Sequence, residues 1–128
     1  MHETPSSAGP GQPIPRRIAL DLAATTYTRI LGGPPDTVTM RSGLVVLAPG
    51  ESVGRHNTEC YEEVLVVLAG SGELRFPNAG QAGAPSLPAV ELRADVVAYC
   101  PPQTEHDVIN TGSEPLRYLF IVARAVSQ

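Results

Sequence analysis

The chain has 128 residues with a formal net charge of −4, and it contains two cysteines and three histidines. This length suits a single domain with one hydrophobic core. The negative charge and the absence of a long Lys/Arg run argue against a nucleic-acid partner. No segment has the length and apolar character of a membrane span or a secretory signal, which predicts a soluble, cytoplasmic protein with no membrane partner.

Proline and glycine are frequent, with 13 and 12 residues respectively. Because both interrupt helices, the composition favours an all-β domain over a helical bundle. The first fifteen residues, MHETPSSAGPGQPIP, have no apolar periodicity. We therefore predict a flexible N-terminal arm over residues 1–15, followed by one domain over residues 16–128.

The predicted elements are short strands. Residues 17–31 fit either a helix or a strand, and their run of threonine and tyrosine favours a strand, which the turn GGPPD follows. An alternation of apolar residues from Val38 to Val46 predicts the next strand. The run VLVVL at 64–68, then GSG, predicts a hairpin with GELRF as its second strand. VELR, DVVAY and LRYLFIVAR complete seven to nine strands, as in a β-sandwich or jelly roll.

The segment GESVGRHNTECYEEVLVVLAG, residues 50–70, carries most of the candidate metal ligands. Residues two positions apart on a strand point to the same side, so His56 and Thr58 are expected to face inward together. Glu62 and Glu63 are adjacent, so only one of them can enter the interior. Cys60 lies between these two groups and offers a softer donor atom.

The spacing of this segment resembles the first motif of the cupin family. That motif has a glycine, five residues, His-x-His, three or four residues, a glutamate, six residues and a second glycine. The chain matches it with Gly50, His56, Glu63 and Gly70, and Thr58 stands where the second histidine is expected.

A second segment resembles the other cupin motif, Pro-x-Gly, two residues, His, three residues, Asn. The chain matches it with Pro101, His106 and Asn110, and Gln103 replaces the glycine. The resemblance covers residues 36–124 and implies a cupin-type double-stranded β-helix, a jelly-roll barrel of two antiparallel sheets.

The resemblance also implies a site for one divalent transition metal ion (Fe, Mn, Ni, Cu or Zn) held by His56, Glu63 and His106. Two imidazoles and one carboxylate suit such ions and leave positions open for a ligand. Register with the family favours Glu63 and leaves Glu62 as a fallback ligand. We expect the pocket to be lined by Thr58 together with two residues near the second motif, Tyr99 and Gln103.

Three interpretations of the site remain open at this stage. The three residues bind a metal, or Cys60 joins them and favours Cu or Zn, or no metal is held and the pocket binds a small polar or aromatic molecule. The first two predict an oxidoreductase or isomerase acting on a small organic molecule, and the third predicts a binding or sensing module. We also expect a homodimer, because pairing covers exposed sheet edges.

Overall fold

The computed structural model describes residues 12–78, 82–83 and 87–126. These residues form nine β-strands and no helix, which confirms the all-β prediction. The strands are β1 (Thr28–Gly32), β2 (Arg41–Leu47), β3 (His56–Asn57), β4 (Tyr61–Ala69), β5 (Ser71–Arg75), β6 (Val90–Arg93), β7 (Val97–Cys100), β8 (Glu105–Asn110) and β9 (Leu116–Arg124).

The strands form two antiparallel sheets. One sheet has the order β1-β2-β9-β4-β7 and the other has the order β3-β8-β5-β6. The chain passes from one sheet to the other six times, between β2 and β3, β3 and β4, β4 and β5, β6 and β7, β7 and β8, and β8 and β9. This alternation between facing sheets is the arrangement of a double-stranded β-helix, as predicted.

The predicted hairpin at GSG is wrong, because β4 and β5 belong to different sheets. β5 pairs with β6 and β8, whereas β4 pairs with β7 and β9. The change of sheet occurs at Gly70, whose φ is 89°. A Cβ atom at this position would overlap the carbonyl oxygen of Pro115, so the close approach of the two backbones requires glycine.

Two strand predictions in the first part of the chain need correction. In the segment 17–31 only the last four residues belong to a strand, β1 (Thr28–Gly32), and Ile18, Leu20 and Leu22 are exposed. The next strand begins at Arg41, and the side chain of Val38 is 78% exposed. Val38 and Met40, which precede Arg41, are therefore exposed and not part of the hydrophobic core.

Parts of the predicted arm and of the predicted loop at 78–88 lie outside the described residues. Residues 12–15 are described and contain no strand or helix. Across the described ranges, no helix is long and apolar enough to cross a membrane.

The hydrophobic core fills one part of the space between the sheets. Its buried members include Leu47, Leu65, Val67, Leu74, Leu92, Ala98, Val108, Leu116 and Tyr118. Along two strands this apolar face gives way to buried polar side chains. On β4, Val67 and Leu65 are followed on the same face by Glu63, and on β8 Val108 is preceded by His106. The polar side chains therefore meet beside the core, between the two sheets.

Candidate metal centre

Strand pairing brings the two motif histidines together. His56 on β3 and His106 on β8 are direct cross-strand partners, and such partners point to the same face of a sheet. The centroids of the two rings are 4.0 Å apart. Glu63 enters from β4 in the facing sheet, and one donor atom from each of the three residues lies within 4.8 Å of the others.

The Nδ1 atoms of both histidines contact backbone carbonyl groups. His56 Nδ1 lies 2.8 Å from the Gly54 oxygen, and His106 Nδ1 lies 3.0 Å from the Thr104 oxygen. A carbonyl oxygen only accepts hydrogen bonds, so each Nδ1 carries the proton. This leaves Nε2 of each ring as the free donor atom for an ion, in the manner usual for metal-binding histidines.

The buried atom His106 Nε2 provides a test of whether the site fits a metal ion. This atom lies 3.0 Å from Glu63 Oε1, yet the contact does not have the geometry of a hydrogen bond. Nε2 is thus buried without a hydrogen-bond partner among the residues that the structure describes. A lone pair facing a carboxylate requires a cation or a proton between them, so the residues fit a divalent ion.

The pKa of His106 is consistent with this arrangement. Burial lowers it, but the Cys100 thiol, the Glu63 carboxylate and the Thr104 carbonyl together raise it by more, and it reaches about 10. In the absence of an ion, a proton on Nε2 compensates the Glu63 carboxylate at neutral pH. Metal binding would release this proton.

Thr58 is buried beside these residues, but its hydroxyl group is turned toward the segment between β7 and β8. The hydroxyl donates a hydrogen bond to the Pro101 oxygen over 2.7 Å and accepts one from the Thr104 amide over 3.0 Å. The Thr58 amide also donates to the Thr104 oxygen, the same atom that His106 Nδ1 contacts. Thr58 therefore fixes the carbonyl group that orients His106, and its hydroxyl is not a metal ligand.

Glu62 and Cys60 lie away from the three residues. Glu62 alternates with Glu63 on β4 and accepts a hydrogen bond from the Tyr99 hydroxyl over 2.8 Å. Cys60 is exposed in the turn before β4, and this turn does not bend inward. Neither side chain belongs to the group of clustered donor atoms, so the structure gives no support to a thiolate or a second carboxylate at the site.

The predictions that Tyr99 and Gln103 line the pocket are wrong. Tyr99 is 53% exposed and faces away from the interior, because its neighbours on β7, Ala98 and Cys100, take the buried positions. The phenol bond to Glu62 raises the pKa of Tyr99. Gln103 is an exposed turn residue with a φ of 56°, and its amide donates to the Glu59 oxygen.

A cavity of about 590 Å³ opens beside the three residues. Its lining is mainly apolar, and it includes residues that sequence reasoning missed: Tyr27, Arg41, Tyr61 and Val53. Arg41 was missed because the apolar alternation from Val38 to Val46 suggests that the face of β2 opposite to Arg41 points into the barrel. Pairing with β9 is the signal that reveals the inward face, since Arg41 lies opposite Val122 and Val45 lies opposite Tyr118.

A family model for the cupin domain matches residues 43–122. The chain belongs to the cupin family. The match spans both motifs and the strands β3 to β8, with most of β2 and of β9. The sequence resemblance is thereby confirmed.

This cupin is similar to auxin-binding protein 1 from Arabidopsis thaliana, with 37% identity over 82 residues. The matched region is 63% of this chain and 40% of that protein, so the chain spans less than half of its relative's length.

Solved structures support the same fold. A protein from Bacillus halodurans has a TM-score of 0.68 and 22% identity, and the match covers 89% of this cupin and 86% of that chain. A predicted oxalate decarboxylase from Thermotoga maritima has a TM-score of 0.57 and 21% identity, with 84% and 99% covered.

Proposed function

We propose that this cupin binds one divalent transition metal ion through His56, Glu63 and His106, and that a small organic molecule occupies the adjoining cavity. The observation that carries this proposal is the clustering of one donor atom from each of the three residues within 4.8 Å of one another, with His106 Nε2 buried 3.0 Å from the Glu63 carboxylate. Burying both groups is costly unless a cation or proton lies between them.

The donor set suits the ions expected from the sequence. Two imidazoles and one carboxylate can bind Fe, Mn, Ni, Cu or Zn, and the exposed position of Cys60 removes the argument for a soft thiolate ligand that would favour Cu or Zn. When bound, such an ion supplies Lewis acidity and open coordination positions for an oxygen-containing ligand.

The residues around the proposed ligands orient them and shape the cavity. Gly54 and Thr104 hold the two imidazoles through their carbonyl oxygens, and Thr58 holds Thr104. The apolar wall excludes water from the bound molecule and strengthens the electrostatic interactions inside the cavity. We propose an oxidoreductase or an isomerase acting on a small organic molecule as the first function.

A non-catalytic binding or sensing role is the second candidate, and one observation favours it. Apart from the three proposed ligands, the described residues that line the cavity include no Asp, Glu or His to accept a proton. The relative named auxin-binding protein 1 is also described as a binding protein. In this second role, the same cavity would bind a ligand without catalysing its conversion.

The adjacent residues Glu62 and Glu63 provide a matched test of the metal site. Each is replaced by Gln, and the metal content of protein purified without a nickel column is measured by elemental analysis. We expect wild type and Glu62→Gln to hold about one ion per chain and Glu63→Gln to lose at least about tenfold in metal affinity. Equal metal content in the two variants would discard the proposed coordination.

A second measurement separates the two candidate functions. Metal-loaded protein is incubated with a panel of phenols, thiols and diketones, and both oxygen uptake and substrate isomerisation are followed. Turnover that is lost in His106→Gln supports the enzyme. Binding of a panel member without turnover supports the binding or sensing module.

A further inference from the structure

Arg41 faces the same cavity as the proposed metal ligands. It lies opposite Val122 on β9, and Val122 lies opposite Glu63 on β4. Direct cross-strand partners share a face, so the three side chains form one row across three adjacent strands. Neighbouring strands are about 4.8 Å apart, which places the Arg41 backbone about 10 Å from that of Glu63. Arg41 and Glu63 thus line one cavity at positions two strands apart.

The Arg41 guanidinium group has no carboxylate partner among residues 12–78, 82–83 and 87–126. The ion pairs that these residues form involve other side chains. Arg41 instead contacts Tyr61, with Nη1 3.5 Å from the phenol oxygen and Cζ 6.0 Å from the ring centroid. On its other side it packs so closely on Gly33 that a Cβ atom there would overlap the guanidinium group.

These contacts position the guanidinium group while leaving most of its donors free. A planar guanidinium pairs best with a carboxylate through two parallel hydrogen bonds. Arg29 also lacks a carboxylate partner in the described part of the chain, but it does not line the cavity. Arg41 is exposed, but its side chain lines a cavity with mainly apolar walls and has no carboxylate partner there, so its guanidinium group is placed to bind an anionic ligand.

The residues of the cavity wall indicate what the remainder of the ligand is like. Tyr27 and Phe120 stack with their ring centroids 6.3 Å apart and an angle of 14° between their planes. Both rings line the cavity, as do Val45, Val108 and Val122. Apolar, aromatic walls favour a ligand with a flat apolar body.

We infer that the ligand of this cavity is a small organic carboxylate with a single-ring apolar body, and that Arg41 binds its carboxylate group. This inference rests on the proposed function in one respect, since the metal ion near Glu63 belongs to that proposal. An ion with charge 2+ beside the Glu63 carboxylate would leave a net charge of +1 there, so both the metal site and Arg41 would favour an anion. The contribution of Arg41 does not depend on the ion.

The test uses benzoate, its neutral isostere benzamide, and acetate, which lacks the ring. Binding is measured by calorimetry in wild type, Arg41→Gln, Arg41→Lys and the control Arg29→Gln, each with EDTA and with Zn²⁺. We expect benzoate to bind at least about tenfold more tightly than benzamide, since a charge-assisted bidentate pair supplies that difference. Benzoate should also bind more tightly than acetate, since acetate lacks the ring that the apolar wall would bury. Arg41→Gln should lose about tenfold or more for benzoate, Arg41→Lys should lose less, and Arg29→Gln should match wild type.

The paired conditions separate this inference from the metal site. Arg41-dependent benzoate binding in EDTA, combined with no bound Zn²⁺, would support the inference while contradicting the proposed metal site. Normal Zn²⁺ binding with equal affinity for benzoate and benzamide would overturn the inference alone. Benzoate affinity unchanged in Arg41→Gln, or no benzoate binding under either condition, would also overturn it.

Discussion

Replacing Thr58 by valine tests whether this residue supports the site without binding the metal. Valine has nearly the same shape as threonine, so the change removes the hydroxyl group and leaves no cavity. The two hydrogen bonds of that hydroxyl, to the Pro101 oxygen and from the Thr104 amide, are lost. Because Thr58 is only 6% exposed, water cannot readily replace them.

The expected cost follows from these two bonds. A buried hydrogen-bonding group that loses its partner costs about 1–3 kcal/mol, and here two partners are left without the hydroxyl. We expect the free energy of unfolding to fall by about 2 kcal/mol. For a domain of this size, this corresponds to a fall of about 8 °C in the melting temperature.

The assay is urea unfolding in EDTA, so that metal binding does not contribute to the measured stability. Thr28→Val is the control, because Thr28 is an exposed strand residue, and its change should stay within about 0.5 kcal/mol of wild type. A Thr58→Val protein as stable as the control would refute the proposed support of the Thr104 segment.

The same reasoning applies to metal affinity. Thr58 holds the carbonyl group that accepts the Nδ1 proton of His106, and losing such outer contacts typically weakens metal binding by about 10- to 100-fold. Thr58→His would restore the family motif, but it would lose the same hydroxyl bonds. We therefore expect Thr58→His to be destabilised by at least as much as Thr58→Val.

Three further predictions concern residues around the cavity and on the surface. Tyr118 is buried, and its hydroxyl has no hydrogen-bond partner among the described residues, so Tyr118→Phe should change the unfolding free energy by less than about 0.5 kcal/mol. Glu62→Gln should lower the pKa of Tyr99, because the hydrogen bond to the Glu62 carboxylate holds the phenol protonated. The hydrogen bond is present at neutral pH and is lost as the pH rises through the raised pKa of Tyr99. Phenolate absorbance, compared with Tyr99→Phe, follows this titration, and an unchanged pKa would contradict the outward orientation of Glu62. Val97 is exposed on the edge strand β7. If the expected homodimer pairs through this edge, Val97→Glu should give a folded monomer, as measured by light scattering. A dimer mass that is unchanged in Val97→Glu would exclude β7 as the dimer interface.

The resemblance to the two cupin motifs predicted which residues form the centre of the site. It implied that His56, Glu63 and His106 belong to one site, and donor atoms of these three side chains lie close together in the structure. Their chemistry agrees with this interpretation, because the buried imidazole of His106 and the buried carboxylate of Glu63 need partners.

Features that depend on pairing between distant strands were harder to predict. On β2, Leu44 on one face and Leu47 on the other are both buried, so hydrophobic alternation does not distinguish the two faces. This is why Arg41 was missed. At Gly70, the sequence signal for a turn was correct, but the choice between a hairpin and a change of sheet depends on the nearby Pro115 backbone.

Thr58, which stands where the family motif has a second histidine, and Arg41 have different electrostatic consequences for the site. A neutral imidazole in place of Thr58 would add a donor atom but no charge, so its absence frees a coordination position without changing the charge at the ion. Arg41, in contrast, adds one positive charge across the cavity. The first difference affects how many ligand atoms an ion can accept, and the second affects which molecules enter. Because Arg41 is exposed, its contribution to carboxylate affinity should weaken as salt rises, whereas the contribution of the buried residues Glu63 and His106 should weaken much less.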